Sequence, residues 1–490
     1  MTTGCKKPSL VENYPGTFSP RENVGPNHAR DAWHRLPLAT NQLSPQAMRN
    51  KLLFWSLTVA LGGFLFGLDT AVISGAEQDI QQLWRLDDFT HGLAVAMALY
   101  GTVIGALFGG IPADRLGRKR TLFWIGVLYL ISALGSALAP EVGLFMVFRF
   151  IGGLSIGASS VAAPLYISEI APARSRGRLV ALFQFNIVLG ILLAYVSNYL
   201  LDGVGAHDWR LMLGVVAVPS LLFTILVTFI PESPRWLLLK KGRVEEARAI
   251  LQITDPENVE ASILAMQESA LAEQNQVREP LFSKKYRRPI ILAFLFAFFN
   301  QWSGINAIIY YAPRIFEDAG LGKSAALLSS AGIGLVNLLF TMLGIALIDR
   351  MGRRVLMLIG SFGLIATLGL VSQAFNGDAG NAAYVPILLF GFIAFFALSQ
   401  GAVIWVFISE IFPNAVRAAG QSLGSSTHWV FAAIIANIFP VLANNPSIGT
   451  SRIFLFFSMM MVLQLIFVWR LMPETKGVSL EDLGERMTNG

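Results

Sequence analysis

The sequence predicts an all-α membrane protein of twelve spanning helices in two pseudo-symmetric six-helix halves. Three observations carry that expectation: an excess of apolar residues, twelve apolar runs of spanning length, and motifs that recur half a chain apart. Of 490 residues, 54% are hydrophobic and 14% are charged, against roughly a quarter charged in soluble domains. Soluble chains of this size split into domains that each keep a polar skin. The surplus apolar surface is therefore expected to face lipid.

A span needs about 20 predominantly apolar residues. Such runs fall near 52–75, 91–113, 121–140, 143–166, 179–201 and 210–230, and again near 289–312, 325–348, 354–374, 384–408, 420–443 and 452–472. Cytoplasmic loops collect Lys and Arg. Here Arg115, Arg118, Lys119 and Arg120 follow span 2, Arg174, Arg176 and Arg178 follow span 4, and Arg350, Arg353 and Arg354 follow span 8. The segment 231–288 adds Arg235, Lys240, Lys241 and Arg243, while the loop after span 1 is acidic, with Glu77, Asp79, Asp87 and Asp88 around Arg85. This bias predicts a protein of the cell's inner (plasma) membrane with both termini in the cytoplasm. Residues 1–50 read as a disordered cytosolic tail without the apolar core of a signal peptide, and Met48 offers a second start. The expected divisions are then a first half over 51–230, an intracellular helical linker over 231–288, a second half over 289–473 and a short cytosolic tail over 474–490.

The two halves echo each other. Asp114-Arg115-Leu116-Gly117-Arg118-Lys119 follows span 2, and Asp349-Arg350-Met351-Gly352-Arg353-Arg354 follows span 8. Tyr166-Ile167-Ser168-Glu169-Ile170 closes span 4 as Phe407-Ile408-Ser409-Glu410-Ile411 closes span 10, and Pro231-Glu232-Ser233 after span 6 matches Pro473-Glu474-Thr475 after span 12. Three echoes in one order indicate duplication, and duplicated halves enclose a midplane binding site in many secondary transporters. Gly101, Gly105 and Gly109, like Gly153 and Gly157, share a helical face and predict close helix packing.

Other chemistries are excluded. The single Cys5 rules out a disulfide framework and cysteine-based metal sites. Gly322-Lys323-Ser324 has Glu317 where a phosphate-binding loop needs glycine. There is no His-Glu-x-x-His, no clustered catalytic set, no expected cofactor and no metal. The net charge of +6 lies in particular loops and is not a nucleic-acid signal. An ion gradient is the remaining energy source.

Asp69 lies inside span 1, where an ionisable residue is a functional hypothesis by default. It sits about six residues, or roughly 9 Å, from the span's outer end at 1.5 Å per residue. Arg149 lies about as far into span 4 from the same side, so the two opposite charges are expected at equal depth. A buried carboxylate stays ionised beside Arg and binds a proton when that partner leaves. A shape change that separates them is thereby linked to a proton. A fixed packing pair is the alternative.

Amides cluster in the second half. Span 7 holds Asn300-Gln301-Trp302-Ser303-Gly304-Ile305-Asn306 and Tyr310-Tyr311, with Asn306 and Tyr310 one helical turn apart and Gly304 expected to break the helix. Gln184 and Asn186 lie in span 5, Asn337 in span 8, Trp405 in span 10 and His428-Trp429 in span 11. An amide both donates and accepts, which suits a neutral polyhydroxylated ligand, and a flat aromatic suits the apolar face of a sugar ring.

From about residue 52 to 480, the chain resembles the sugar porter branch of the major facilitator superfamily. The likeness is carried by Phe66-Gly67-Leu68-Asp69, Gly304-Ile305-Asn306 with Tyr310-Tyr311, Asp114-Arg115-Leu116-Gly117-Arg118, Pro231-Glu232-Ser233-Pro234-Arg235 and Pro473-Glu474-Thr475-Lys476-Gly477. The resemblance implies that Phe66, Gln184, Gln301, Asn306, Tyr310, Asn337, Trp405 and Trp429 contact the sugar, with His428 at a position usually filled by Gln or Asn. It implies proton symport through Asp69 and Arg149, since proton-coupled bacterial members carry Asp there and animal facilitators Asn. It also implies an inner gate of ion pairs from Arg115, Glu169, Arg176, Glu232, Arg235, Arg350, Glu410 and Arg417. Asn300 replaces a usual glutamine, Ile191 matches animal glucose carriers, and Gly401-Ala402-Val403-Ile404-Trp405 lacks the prolines common there. The expectation is a monomeric monosaccharide–proton symporter, hexose or pentose, in the lipid bilayer. A facilitator, a polyol carrier and a non-transporting sensor are the alternatives, the sensor disfavoured by the short segment after Pro473.

Overall fold

The computed structural model describes residues 44–172, 174–275, 279–376, 383–478 and 480–488. The expected N-terminal tail lies outside the described residues up to position 43, and its last part needs correction. Helix α1 (Pro45–Leu83) begins where Ser44 Oγ accepts a hydrogen bond from the Ala47 amide at 3.2 Å and Pro45 takes the first helical position. A proline there loses no intrahelical bond. Residues 45–50 are therefore helical.

Twelve spans occur among the described residues, and no strand does. The first half comprises α1, α2 (Asp88–Phe108), α3 (Gly110–Leu116), α4 (Arg118–Leu138), α5 (Val142–Ile170), α6 (Arg176–Leu201) and the pair α7 (Asp208–Gly214) and α8 (Ala217–Val227). Three shorter helices follow, α9 (Pro234–Lys241), α10 (Val244–Thr254) and α11 (Val259–Asn275). The second half comprises α12 (Arg287–Trp302), α13 (Ile305–Asp318), α14 (Lys323–Met351), α15 (Arg353–Asn376), α16 (Val385–Phe396), α17 (Ala402–Glu410), α18 (Arg417–Ala443) and α19 (Gly449–Arg470), before α20 (Leu480–Thr488). Only helices satisfy every backbone group within one segment in lipid, which explains why the apolar runs became these elements.

Two spans of the second half are interrupted. Gly304 adopts φ +85°, open to glycine at little cost, and separates α12 from α13. Between α16 and α17 the chain makes a π-helical turn over Ala397–Gly401. A π-bulge is a recognised cause of helix bending, so this span carries a bend without the prolines its sequence lacks. The small-residue faces meet: a Cβ on Gly153 would lie 1.9 Å from the Ala98 carbonyl oxygen, which brings α5 against α2.

The repeated loop motifs form matching corners. Gly117 and Gly352 have φ +96° and +90°. Glu232 Oε1 accepts from the Arg118 and Lys119 amides at 2.8 and 3.1 Å, and Glu474 accepts from the Arg353 and Arg354 amides, each at 3.0 Å. Each carboxylate thus meets the unpaired N–H groups that begin a helix. Burial pushes the Glu232 carboxyl above its ordinary 4.5. Burial also acts on Glu474, but the amides of Lys476, Arg353, Arg354 and Thr475 together hold it below 4.5. Stability from Glu474 is therefore present above pH 4.5 and lost as pH falls through its lowered native value. We expect Glu474→Gln to cost about 1 kcal/mol at pH 7 after allowance for its exposure. Thermal unfolding of the two proteins in detergent should converge as pH is lowered from 7 to below 4.5.

Candidate functional site

The two halves enclose a cavity of about 620 Å³, within the range of small-molecule sites. Phe66, Gln184, Gln301, Asn306, Asn337, Trp405, His428 and Trp429 all line it. Its lining reaches Val180 and Gln421, close to the ends of α6 and α18 that adjoin the basic loops. Toward the opposite face the α13 lining ends at Ile309, and the next side chains, Tyr310 and Tyr311, are fully buried. No Asp, Glu, Lys or Arg is among the lining residues.

The amides are already organised. Gln301 Oε1 accepts from Asn306 Nδ2 at 2.6 Å, and Gln301 Nε2 donates to Asn300 Oδ1 at 2.9 Å and lies 3.1 Å from His428 Nδ1. The His428 ring sits between Trp405 and Trp429, with centroids 5.0 and 4.7 Å away, and Trp429 meets Phe66 at 5.6 Å. Thr341 Oγ1 donates to Asn337 Oδ1 at 3.2 Å. The result is a wall of fixed amides facing an aromatic shelf.

Tyr310 does not line the cavity. A non-helical turn at Tyr311 (φ −121°, ψ 19°) interrupts α13 between it and Pro313. Its buried ring lies behind the wall near Thr70, Asp69 and Arg149. Asn186 bonds back to the Leu182 carbonyl at 2.8 Å and stays out of the lining. The cavity also takes in Thr70, Asn300, Thr341, Gln421 and Ser425. Gln421, Ser425 and His428 lie on one face of α18 at helical spacing, a signal that was present in the sequence.

Asp69 and Arg149 meet. Arg149 Nη1 donates to Asp69 Oδ1 at 2.9 Å and Nη2 to the Asp69 carbonyl at 3.3 Å, with both residues at most 2% exposed. Helix α1 runs on to Leu83, past the expected span end at 75, while α5 begins at Val142, close to the expected start of span 4. Asp69 Oδ2 has no hydrogen-bond partner among the described residues. A Cβ on Gly152 would come within 3.6 Å of that oxygen. Thr70, the next residue, lines the cavity, so the carboxyl group stands directly behind the ligand wall.

The charges near the basic loops pair within each half. Arg118 holds Glu169 through two bonds of 2.9 Å, and Arg353 Nη2 lies 2.8 Å from Glu410 Oε1. Arg115 and Arg350, expected at the inner gate, are both exposed, and Arg350 offers its carbonyl oxygen to Lys476. The glycine between the two arginines turns the chain, so the second arginine begins the next helix and points into the half. Glu232 caps α4, Arg417 Nε donates to the Phe412 carbonyl at 3.2 Å, Arg176 is exposed, and Arg235 lies in the first turn of α9.

Across the opposite face the halves are bridged. Arg314 on α13 grips Glu77 on α1 with bonds of 2.9 and 2.8 Å, Lys323 on α14 lies 3.2 Å from Asp202, and Asn444 donates to Asp88 at 2.7 Å.

A duplicated bundle with a neutral central cavity and an acid–arginine pair behind its wall is a membrane transporter. The family model "Sugar (and other) transporter" matches residues 55–486. The glucose transporter GlcP of Staphylococcus epidermidis is 38% identical over 440 residues, 89% of this chain and 96% of its own length. The arabinose-proton symporter of Bacillus subtilis is 36% identical over 435 residues, 87% and 93% of the two chains. The inward open conformation of the xylose transporter XylE from E. coli superposes with a TM-score of 0.77 at 32% identity, covering 88% of this chain and 99% of that one. The chain belongs to the sugar porter family of the major facilitator superfamily, and it is a multi-pass sugar transporter.

Proposed function

We propose that the chain is a monosaccharide–proton symporter of the cell's inner membrane that works by alternating access. The basic loops and both termini lie in the cytoplasm, and the cavity described above faces inward. One observation carries the coupling: a buried carboxylate with one oxygen on Arg149 and the other unpartnered, one residue from the ligand wall. When the helices shift and Arg149 is drawn away, a proton satisfies Asp69. Sugar binding between the halves favours their closure, and release of the proton inside restores the pair.

The uncharged lining supports a neutral sugar. Uptake of labelled hexoses, pentoses and polyols by proteoliposomes, with and without an imposed pH gradient, tests both parts. Neutral monosaccharides are expected to accumulate only with the gradient, while uronates and sugar phosphates stay outside, since ionic groups lack partners in this cavity. Accumulation of a sugar phosphate would contradict this assignment.

Gln301 is the keystone of the amide wall. Gln301→Ala removes the partner of Asn306 and His428 at once. Each unpaired buried polar group costs about 1–3 kcal/mol, and each 1.4 kcal/mol is a factor of ten in affinity. Sugar affinity, read by equilibrium binding, is expected to fall roughly 10- to 100-fold while the Asp69–Arg149 pair is untouched.

A further inference from the structure

Arg314 and Glu77 do more than bridge the halves, because a histidine lies beneath them. His91 on α2 is fully buried, as is Glu77. Its Nε2 is 2.8 Å from Glu77 Oε2 and 3.1 Å from the Glu77 carbonyl oxygen. Two acceptors at those distances require a hydrogen on Nε2. The other ring nitrogen, Nδ1, is buried with no hydrogen-bond partner among the described residues. Tyr311 packs edge-on against the ring at 6.1 Å.

We propose that His91 is a second proton-binding site, separate from Asp69 and loaded as the outer face opens. While that face is closed, Arg314 balances the Glu77 charge, so another positive charge on His91 has nothing to offset it. Its new N–H would also be buried without an acceptor. Opening moves α13 away from α1 and α2, because the Glu77–Arg314 bridge spans the two halves. Glu77 then keeps only His91 as a partner, and water from outside reaches Nδ1. A proton from that water binds Nδ1 while Nε2 keeps its hydrogen on Glu77, giving an imidazolium–carboxylate pair. Closing returns Arg314 and expels the proton.

The charged and titratable groups facing this site are few. Glu77 comes from α1, and Asp88 from α2 itself. Arg314 and Tyr311 come from α13, which also places Glu317 and Asp318 close enough to sense Glu77. Helix α18 contributes no charge at this level: Asn437 backs Gly92, and Asn444 follows its end. On α5, Arg149 is already committed to Asp69.

The inference rests on the alternating access proposed above, and its test removes Asp69 from the question. Full-length protein carrying Asp69→Asn is placed in lipid nanodiscs, with spin labels on the exposed ends of α1 and α14. Distances across the outer face are read between pH 8 and 5. The open fraction is expected to rise as pH falls, by up to about tenfold per pH unit for one linked proton. Adding His91→Gln should flatten that response. Arg314→Gln should hold the face open at every pH. His91→Asn serves as the second histidine variant if the glutamine protein does not fold. A flat response in the Asp69→Asn protein, or one that survives loss of His91, overturns the proposal and leaves the Asp69 reading standing.

Discussion

Replacing Asp69 by Asn is expected to abolish uphill sugar accumulation and to leave sugar exchange running. The amide retains an oxygen that accepts from Arg149 Nη1, where the carboxylate accepts now at 2.9 Å. The hydrogen bond therefore survives, but Arg149 loses its counter-charge, and an uncompensated buried charge costs up to about 3–5 kcal/mol. What disappears is a group that trades Arg149 for a proton. At one proton per sugar, a gradient sustains about a tenfold concentration ratio for each pH unit, and in the variant that ratio falls to one. Proteoliposomes report both quantities, counterflow for exchange and imposed-gradient uptake for accumulation. Undiminished accumulation by the variant would overturn proton coupling through this residue.

The second large effect is steric. Gly92 on α2 faces the Asn437 carbonyl on α18, where an added Cβ would lie 2.0 Å from the oxygen and 2.8 Å from its carbon. Both obstacles are backbone and cannot rotate away. Gly92→Leu therefore forces the two halves apart at the outer face. Overpacking of even yielding cores costs about 1–3 kcal/mol, and here the closed state alone bears it. We expect a protein held outward-open, with exchange and accumulation both reduced about 100-fold or more, and with sugar binding from the outer side retained. Gly110→Leu is the control, since a Cβ there meets nothing within 4 Å. Exchange rates and sugar binding separate a locked carrier from a misfolded one.

Particular residues show where sequence reasoning reached and where it stopped. Asp69 and Arg149 were legible because a charge in lipid is costly enough to demand a partner, and span direction set their depths. Most of the amides that line the cavity were legible for a related reason, as polar groups inside apolar runs. Tyr310 was assigned to the cavity because it stands one turn from Asn306. Its buried ring lies instead beside Asp69 and Arg149. The repeated loop motif offers two arginines in the first half and three in the second. A single glycine of positive φ decides which of them turns inward.

The sequence by itself determined the number of spans, the duplication and the presence of one acid deep in the first half. Lipid offers the backbone no partners, so apolar length alone dictates helices. The tertiary structure decided which charges meet. Glu77 and Arg314 are far apart along the chain on opposite halves and meet only when those halves close, while His91 stays with Glu77 in the first half. Such pairings rest on a few ångströms in a medium of low dielectric, and nothing in residue spacing encodes that distance.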